Sequence, residues 1–185
     1  MNPGEVLTLN IEKVAHGGFC VARHEGVVVF VRHCLPGEIV EAKLTSLAPG
    51  KRSWFAQTIK VIKPSINRVA SKCVFFKTDG CGGCDWQHTT SKYQRELKLE
   101  VLIEQLARFG QVNNAAEICA IHAVEPSEQN WRTRVRLVAS PEGNWGFRKT
   151  RSHEIQEINK CLIADQSINE VLATLPKGNV DDQVL

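Results

Sequence analysis

Residues 16–44 read HGGFCVARHEGVVVFVRHCLPGEIVEAKL, and this stretch decides the fold of the first third of the chain. Short runs rich in valine alternate with turns at Gly17-Gly18, Glu25-Gly26 and Pro36-Gly37. Strands separated by turns about every eight to twelve residues are typical of small barrels. The pattern extends to both sides and predicts five strands, which are Val6–Val14, Phe19–Arg23, Val27–Val31, Glu38–Leu44 and Trp54–Ile62. We therefore expect residues 5–63 to form an all-β barrel.

The same stretch resembles the TRAM domain, an RNA-binding barrel of the OB type found on tRNA- and rRNA-modifying enzymes. The resemblance rests on Gly17-Gly18, the Glu25-Gly26 hairpin, the strand Val29–Val31 and the turn Leu35–Glu38. It implies a TRAM domain over residues 1–63. Such barrels stack single-stranded bases on exposed aromatic rings beside basic side chains. The candidate RNA contacts here are Phe30, Arg32, His33, Lys51 and Arg52, together with Trp54. The alternative is that Phe30 and Trp54 belong to the core.

Composition and cysteine usage limit the class of protein. The chain has 185 residues, 43% of them apolar, and a net charge of only +3. It contains neither a signal-peptide pattern nor an apolar run long enough to span a membrane, so we expect a cytoplasmic protein without a membrane partner. An odd number of cysteines, seven, does not suit a disulfide framework. Cys20 and Cys34 lack ligand spacing and are expected to be buried.

The predicted cluster-binding loop, residues 64–90, has the spacing C-x7-C-x2-C at Cys73, Cys81 and Cys84. A structural zinc ion or a cubane iron-sulphur cluster takes four ligands. The candidates for the fourth ligand are Cys119, Cys161, His88 and His153. We choose Cys161, because it ends a strand-like segment just before a helix start, whereas Cys119 lies in an apolar strand-like run. Three close cysteines with one distant one fit a cluster better than paired zinc knuckles, and both remain open at this point.

The remainder is expected to be α+β, with antiparallel strands. A capping box at Ser91 and Gln94 predicts a helix over residues 91–110, and a central α+β domain follows over residues 115–185. A hairpin of residues 130–140 and 145–151 should place Trp131 and Leu137 on one face and the arginines on the other. A second capping box at Ser167 and Glu170 predicts another helix, which should run up to Pro176. The candidate RNA contacts in this region are Arg132, Arg134, Arg136, Phe147, Arg148, Lys149, Arg151 and His153. The alternative is an ordinary solvated charged face.

Taken together, these pieces resemble the iron-sulphur-containing RNA (uracil-5-)-methyltransferases, in particular those of 23S rRNA. The matching residues are Cys73, Cys81, Gly82, Gly83, Cys84, Trp86, Gln87, His88, Gly146, Phe147, Arg148, Ser152, His153 and Cys161. The resemblance implies that the four cysteines bind a [4Fe-4S] cluster and that the partner is RNA, most simply 23S rRNA, rather than DNA. We expect the cluster to be structural and to fix the arginine hairpin relative to the barrel.

The family's chemistry belongs to a C-terminal domain that binds S-adenosylmethionine. The sequence shows no glycine-rich dinucleotide-type turn or alternating βαβ pattern, so this domain is expected to be absent and the chain inactive alone. We therefore assign no catalytic residue. The alternatives are an iron-sulphur electron-transfer or redox-sensing module and a zinc-stabilised RNA-binding protein. The oligomeric state is not predicted.

Overall fold

The computed structural model describes residues 1–50, 52–126, 128–180 and 182–184. The candidate Lys51 lies outside the described residues. The chain divides into two compact units. The first unit comprises Met1–Ala70 and His88–His122, and the second comprises Ser71–Gln87 and Ala123–Leu185. The segment 64–90, expected to be one loop, is therefore shared between the two units.

A closed five-stranded barrel dominates the first unit. Its strands are β1 (Val6–Ala15), β2 (Phe19–His24), β3 (Val27–Arg32), β4 (Ile39–Leu47) and β5 (Ser53–Lys63). They pair in the order β1-β2-β3-β5-β4 and close into a barrel in which only the β3–β5 pair is parallel. This confirms the predicted OB-like barrel. The ends of each predicted strand lie within three residues of the ends of the observed strand.

The barrel core follows the period of two along each strand. In β3, Val29 and Val31 are fully buried. Phe30 and Arg32, which alternate with them along the strand, lie on the outer face. Cys20 and Cys34 are also buried, at 1% exposure each, which agrees with their expected role as small interior residues.

Two helices complete the first unit. Helix α1 (Ser91–Phe109) covers the predicted segment, but its N-cap is Thr90 rather than Ser91. The Thr90 hydroxyl accepts a hydrogen bond from the Tyr93 amide at 3.3 Å, which satisfies a helix-end donor. Helix α2 (Ala115–Ile118) is short and ends at Cys119, so the strand-like run expected around Cys119 is wrong.

The second unit contains an antiparallel sheet and one helix. The strands are β6 (Leu137–Ala139), β7 (Trp145–Arg148), β8 (Ile155–Glu157) and β9 (Gln183–Val184), in the order β8-β7-β6-β9. Helix α3 (Gln166–Thr174) begins after Asp165, whose carboxylate accepts a hydrogen bond from the Ser167 amide at 2.9 Å. Asp165, not Ser167, is therefore the N-cap.

The arginine-bearing strand is shorter than predicted. The Arg132 amide donates to the Ile163 carbonyl at 2.8 Å, and the Asp165 amide donates to the Arg132 carbonyl at 2.9 Å. These bonds pair residue 132 with the chain before α3 instead of extending β6. Trp131, expected on the same face as Leu137, is 48% exposed, whereas Leu137 is buried. Within the described ranges, none of the helices is long and apolar enough to cross a membrane.

Candidate nucleic-acid interface and cysteine centre

Three phenylalanine rings pack against one another on the outer side of the barrel, where Phe30 and Phe55 are half-buried and Phe19 is only 7% exposed. Phe19 comes from the start of β2, Phe30 from β3 and Phe55 from β5. The parallel β3–β5 register sets Phe30 opposite Phe55, and their ring centroids lie 5.7 Å apart. Phe19 lies 5.1 Å from Phe55 and 6.2 Å from Phe30. We call these three rings the aromatic row.

A cation lies beside the aromatic row. The Arg32 guanidinium carbon is 4.4 Å from the centroid of the Phe19 ring, within the range of a cation–π interaction. Its Nη2 also donates to the carbonyl of Gly17, in the loop between β1 and β2, at 3.5 Å. In OB folds the β2–β3 face and the loops β1–β2 and β4–β5 are the usual nucleic-acid surface. The aromatic row and Arg32 occupy that face.

The residues of the barrel that were predicted to contact RNA differ in their burial. Phe30 and Arg32 are half-buried on the outer face, and Arg52 is exposed in the loop before β5. Trp54, by contrast, is 7% exposed and packs in the barrel core. His33 is 8% exposed, and its ring centroid lies 6.4 Å from that of His88. His33 is therefore buried and does not belong to the exposed surface.

Sequence reasoning missed Phe19 and Phe55. A signal for Phe55 was present, because it follows Trp54 and side chains of adjacent strand residues point to opposite faces. Once Trp54 is placed in the core, Phe55 must lie outside. Phe19 was assigned to a strand, but its face was not considered.

The cysteine loop is joined to the end of β7 by backbone hydrogen bonds. The Gly82 amide donates to the Arg148 carbonyl at 3.1 Å, and the Thr150 amide donates to the Gly80 carbonyl at 3.2 Å. A Cβ at Gly82 would lie 3.1 Å from the backbone of Arg148 and Thr150, so a larger residue there would push these segments apart by a few tenths of an ångström. Gly82 thus permits close approach of the two chain segments.

All four predicted cysteines line one cavity of about 150 Å³ within the second unit. They are Cys73, Cys81, Cys84 and Cys161. The other candidates for the fourth ligand, Cys119, His88 and His153, are not among the lining residues. Cys161 is fixed against α3, because its amide donates to Asn169 Oδ1 at 2.8 Å and its carbonyl accepts from Asn169 Nδ2 at 3.1 Å.

Convergence on a cavity is not the same as coordination geometry. Among the described residues, no group of three or more cysteine, histidine or acidic side chains is arranged to hold a metal ion. The donor chemistry nevertheless suits a thiolate centre. The Gly83 amide donates to Cys81 Sγ at 3.4 Å, and Gln87 Nε2 donates to Cys84 Sγ at 3.4 Å. Hydrogen bonds to sulphur of this kind tune iron-sulphur clusters.

The loop thiols are not activated nucleophiles. Burial raises the pKa of the Cys84 thiol to about 11, against the lowering effect of its hydrogen bond from Gln87. Burial also raises the pKa of Cys81, although the Gly83 amide and the charge of Arg132 act in the opposite direction. A reactive cysteine has a lowered pKa, whereas a ligand loses its proton when a metal binds. The environment of these two thiols therefore shows no activation for nucleophilic catalysis.

The predicted cations of the second unit fall into three groups. Arg132 and Arg136 line the cysteine cavity, together with Lys160 and Phe147. Arg134 and Arg151 are exposed. The remaining cations contact neighbours in the turn after β7: Lys149 Nζ pairs with Glu154 at 2.7 Å, and Arg148 Nη1 lies 3.1 Å from Nδ1 of the exposed His153. Of the two aromatic residues in β7, Trp145 is core, with Nε1 donating to the Pro176 carbonyl at 2.8 Å.

Comparisons with known proteins agree with this architecture. Residues 2–57 match the model of the TRAM domain. An uncharacterized RNA methyltransferase of Streptomyces coelicolor is 40% identical over 178 residues, which cover 91% of this chain and 39% of the relative. A 23S rRNA (uracil(1939)-C(5))-methyltransferase of Shewanella piezotolerans is 32% identical over 174 residues, 91% of this chain and 38% of that protein.

A solved structure shows the same fold. The Pyrococcus abyssi tRNA (uracil-54, C5)-methyltransferase, in complex with S-adenosyl-L-homocysteine, matches 89% of this chain and 34% of its own with a TM-score of 0.57 and 20% identity. The chain thus spans about 40% of the length of the curated relatives cited above. Residues 2–57 are a TRAM domain, and the chain is homologous over nearly its whole length to part of the RNA methyltransferases.

Proposed function

We propose that this chain is the RNA-binding, [4Fe-4S]-carrying part of an rRNA uracil-5-methyltransferase. In that role it positions RNA for methylation at C5 of uracil by a catalytic domain that uses S-adenosylmethionine. The observation that carries the RNA-binding proposal is the aromatic row with Arg32 beside it, on the face that OB barrels use for nucleic acid. The names of the homologous proteins support RNA, and specifically 23S rRNA, as the partner.

The aromatic row provides stacking surfaces of the required kind. Phe30 and Phe55 are only half-buried, so part of each ring is available to a base. Stacking of one base on an aromatic side chain contributes about 1–3 kcal/mol. Arg32 and Arg52 supply positive charge near these rings, which attracts the phosphates and makes binding dependent on salt. In this proposal the basic residues of the second unit, Arg132, Arg134, Arg136, Arg148, Lys149 and Arg151, extend the RNA contacts together with Phe147 and His153.

Binding of a single-stranded RNA from the 23S sequence, measured by fluorescence anisotropy at several salt concentrations, tests this proposal. Phe30→Ala and Phe55→Ala should each weaken binding by about 5-fold to 100-fold, as loss of one stacked base predicts. Phe109→Ala is the matched control, because Phe109 is 69% exposed at the end of α1 and does not belong to the barrel strands that carry the aromatic row. Unchanged affinity in both barrel variants, or equal weakening in the control, would contradict the proposed interface.

The four cavity cysteines would hold the cluster. In a cubane each thiolate binds a different iron, so four cysteines placed around a cavity provide what the cluster needs. The bound cluster would supply covalent links between the loop at residues 73–84 and Cys161. The hydrogen bonds from Gly83 and Gln87 would then stabilise negative charge on Cys81 and Cys84. All four ligands belong to the second unit, so the links would join parts of that unit.

Metal analysis separates the cluster from zinc. Anaerobically purified protein should contain iron and acid-labile sulphide in equal amounts, with a broad visible absorption. Cys161→Ser should lose most of the iron, whereas Cys119→Ser should keep it, because Cys119 lies outside the cavity. Zinc in place of iron and sulphide would refute the cluster, and iron retained in Cys161→Ser would refute the fourth ligand.

A further inference from the structure

The cysteine cavity contains three cations. Its walls are largely apolar, and Arg132, Arg136 and Lys160 also line it, whereas no carboxylate is among the described residues that line it. Within the described part of the chain, none of these three cations forms an ion pair with an acidic side chain. By contrast, the charge of Lys149 is offset by Glu154, whose carboxylate lies 2.7 Å from Lys149 Nζ. The three cavity cations are therefore available to balance an anion in the cavity.

The backbone holds Arg132 and Lys160 close to the fourth cysteine. Lys160 precedes Cys161 directly in the chain. Arg132 is fixed by two backbone hydrogen bonds to residues just after Cys161, at 2.8 Å to Ile163 and 2.9 Å to Asp165. Its Nε also donates to the Arg134 carbonyl at 3.1 Å, which restrains the side chain.

We propose that Arg132, Arg136 and Lys160 provide the positive charge that balances a [4Fe-4S] cluster bound by four thiolates. This inference rests on the proposed function, and it gives Arg132 and Arg136 a task in addition to their proposed contact with RNA. A cluster ligated by four thiolates is an anion, and it becomes more negative when reduced. Cations close to it stabilise both forms, and the reduced form more. Arg132 is half-buried, whereas Arg136 and Lys160 are exposed although they line the cavity. They are positioning and charge-balancing residues for the cluster.

The inference is tested in the full 185-residue chain with Arg132→Gln, Arg136→Gln and Lys160→Gln. Each variant should shift the cluster midpoint potential to a more negative value, because loss of a nearby positive charge disfavours the added electron. Each should also lose its visible absorption several-fold faster in the presence of an iron chelator. Arg134→Gln is the matched control, since Arg134 is exposed on the same segment but does not line the cavity. Arg132→Lys keeps the charge, so the midpoint potential of its cluster should lie close to that of the unsubstituted protein.

Two results would overturn the inference. One is an unchanged potential and chelation rate in the three cavity variants, whatever their effect on the salt dependence of RNA binding. The other is an equal shift in Arg134→Gln, which would indicate a general effect of net charge. Failure of the proposed function is distinguishable, because unsubstituted protein without iron and sulphide would remove the cluster itself.

Discussion

A buried carboxylate between β3 and β4 leads to the sharpest stability prediction. Glu38 has a fully buried side chain, and Arg68, after β5, donates to its carboxylate from Nε at 2.5 Å and Nη2 at 2.7 Å. The amides of Leu35 and Ser65 donate to the same carboxylate at 2.9 and 3.0 Å. The carboxylate thus receives four hydrogen bonds, two of them from a cation.

Arg68→Met removes the cation and leaves the carboxylate buried. Breaking a buried ion pair in this way costs about 3–5 kcal/mol, since a charge remains without its partner. Glu38→Gln should cost less, about 1–3 kcal/mol, because the cation left behind is 20% exposed and an amide oxygen can still accept. The order of the two losses, with Arg68→Met the larger, follows from the difference in burial.

The pH dependence distinguishes this mechanism from simple loss of packing. Burial by itself raises the pKa of Glu38, but hydrogen bonds from Arg68, Ser65 and Leu35 lower it more, so the net direction is down. A lowered pKa contributes stability above the unfolded-state pKa, and this contribution is lost as pH falls through the folded-state value. In Arg68→Met the burial effect should dominate and raise that pKa. The difference in unfolding free energy between wild type and Arg68→Met should therefore narrow from pH 7 towards pH 4.

Urea unfolding followed by fluorotryptophan NMR makes the measurement specific. Trp54 is the tryptophan of the first unit, so its resonance reports unfolding of the barrel. A loss below about 1 kcal/mol in Arg68→Met at pH 7, or a difference from wild type that does not narrow in acid, would refute the reasoning.

Three further predictions concern individual positions. Thr90→Ala should destabilise the first unit by about 1 kcal/mol and Ser91→Ala by much less, as urea unfolding can check, because Thr90 is the N-cap of α1. Burial lowers the pKa of His88 to about 4 and so favours the neutral ring in the folded state. The free energy of unfolding should therefore fall by up to about 3 kcal/mol as the pH falls from about 6.5 towards 4. NMR titration should find the His88 ring neutral at pH 5, and a protonated ring there would contradict this. Gly82→Ala should destabilise the second unit by about 1–3 kcal/mol and Gly83→Ala by less, since only the first places a Cβ against backbone.

The barrel could be predicted from sequence because its signals are local. Each strand is a short run rich in β-branched or aromatic residues and each turn contains glycine, so strand positions follow from short stretches such as Val27–Val31. The face of an aromatic residue was harder to assign. Phe30 and Trp54 had equal claims to the core, and the parallel β3–β5 register that sets Val29 against Trp54 and Phe30 against Phe55 is a long-range property.

The second unit shows where local signals fail. Alternation in residues 130–140 predicted one long strand, but residues 130 and 132 bond to residues 162 and 163 instead. No pattern within residues 130–140 indicates a partner thirty residues away. The cysteine loop was more predictable, because C-x7-C-x2-C restricts the chemistry even when the fold around it is unknown. Cys161 could be selected because it precedes a helix, and the structure places it in the same cavity as the three loop cysteines.

The division of the chain changes what loss of the cluster should do. The aromatic row and its supporting core, including Val29, Val31 and Leu44, belong to the first unit. The four cysteines and a separate core that includes Leu137 and Trp145 belong to the second. A cluster that fixes the arginine hairpin relative to the barrel, as expected from sequence, would make RNA binding depend wholly on iron. A cluster that joins parts of the second unit alone would leave RNA binding by the aromatic row independent of iron.

Cys161→Ser decides between these two mechanisms. We expect this variant to lose iron and to unfold more easily in its second unit, while the part of the RNA affinity that depends on Phe30 and Phe55 stays within about two-fold of wild type, since independent sites contribute additively. The double variants Cys161→Ser/Phe30→Ala and Cys161→Ser/Phe55→Ala complete the cycle. If the two phenylalanine substitutions have no further effect once iron is lost, the cluster and the aromatic row are coupled, and the assignment of the cluster to one unit alone is wrong.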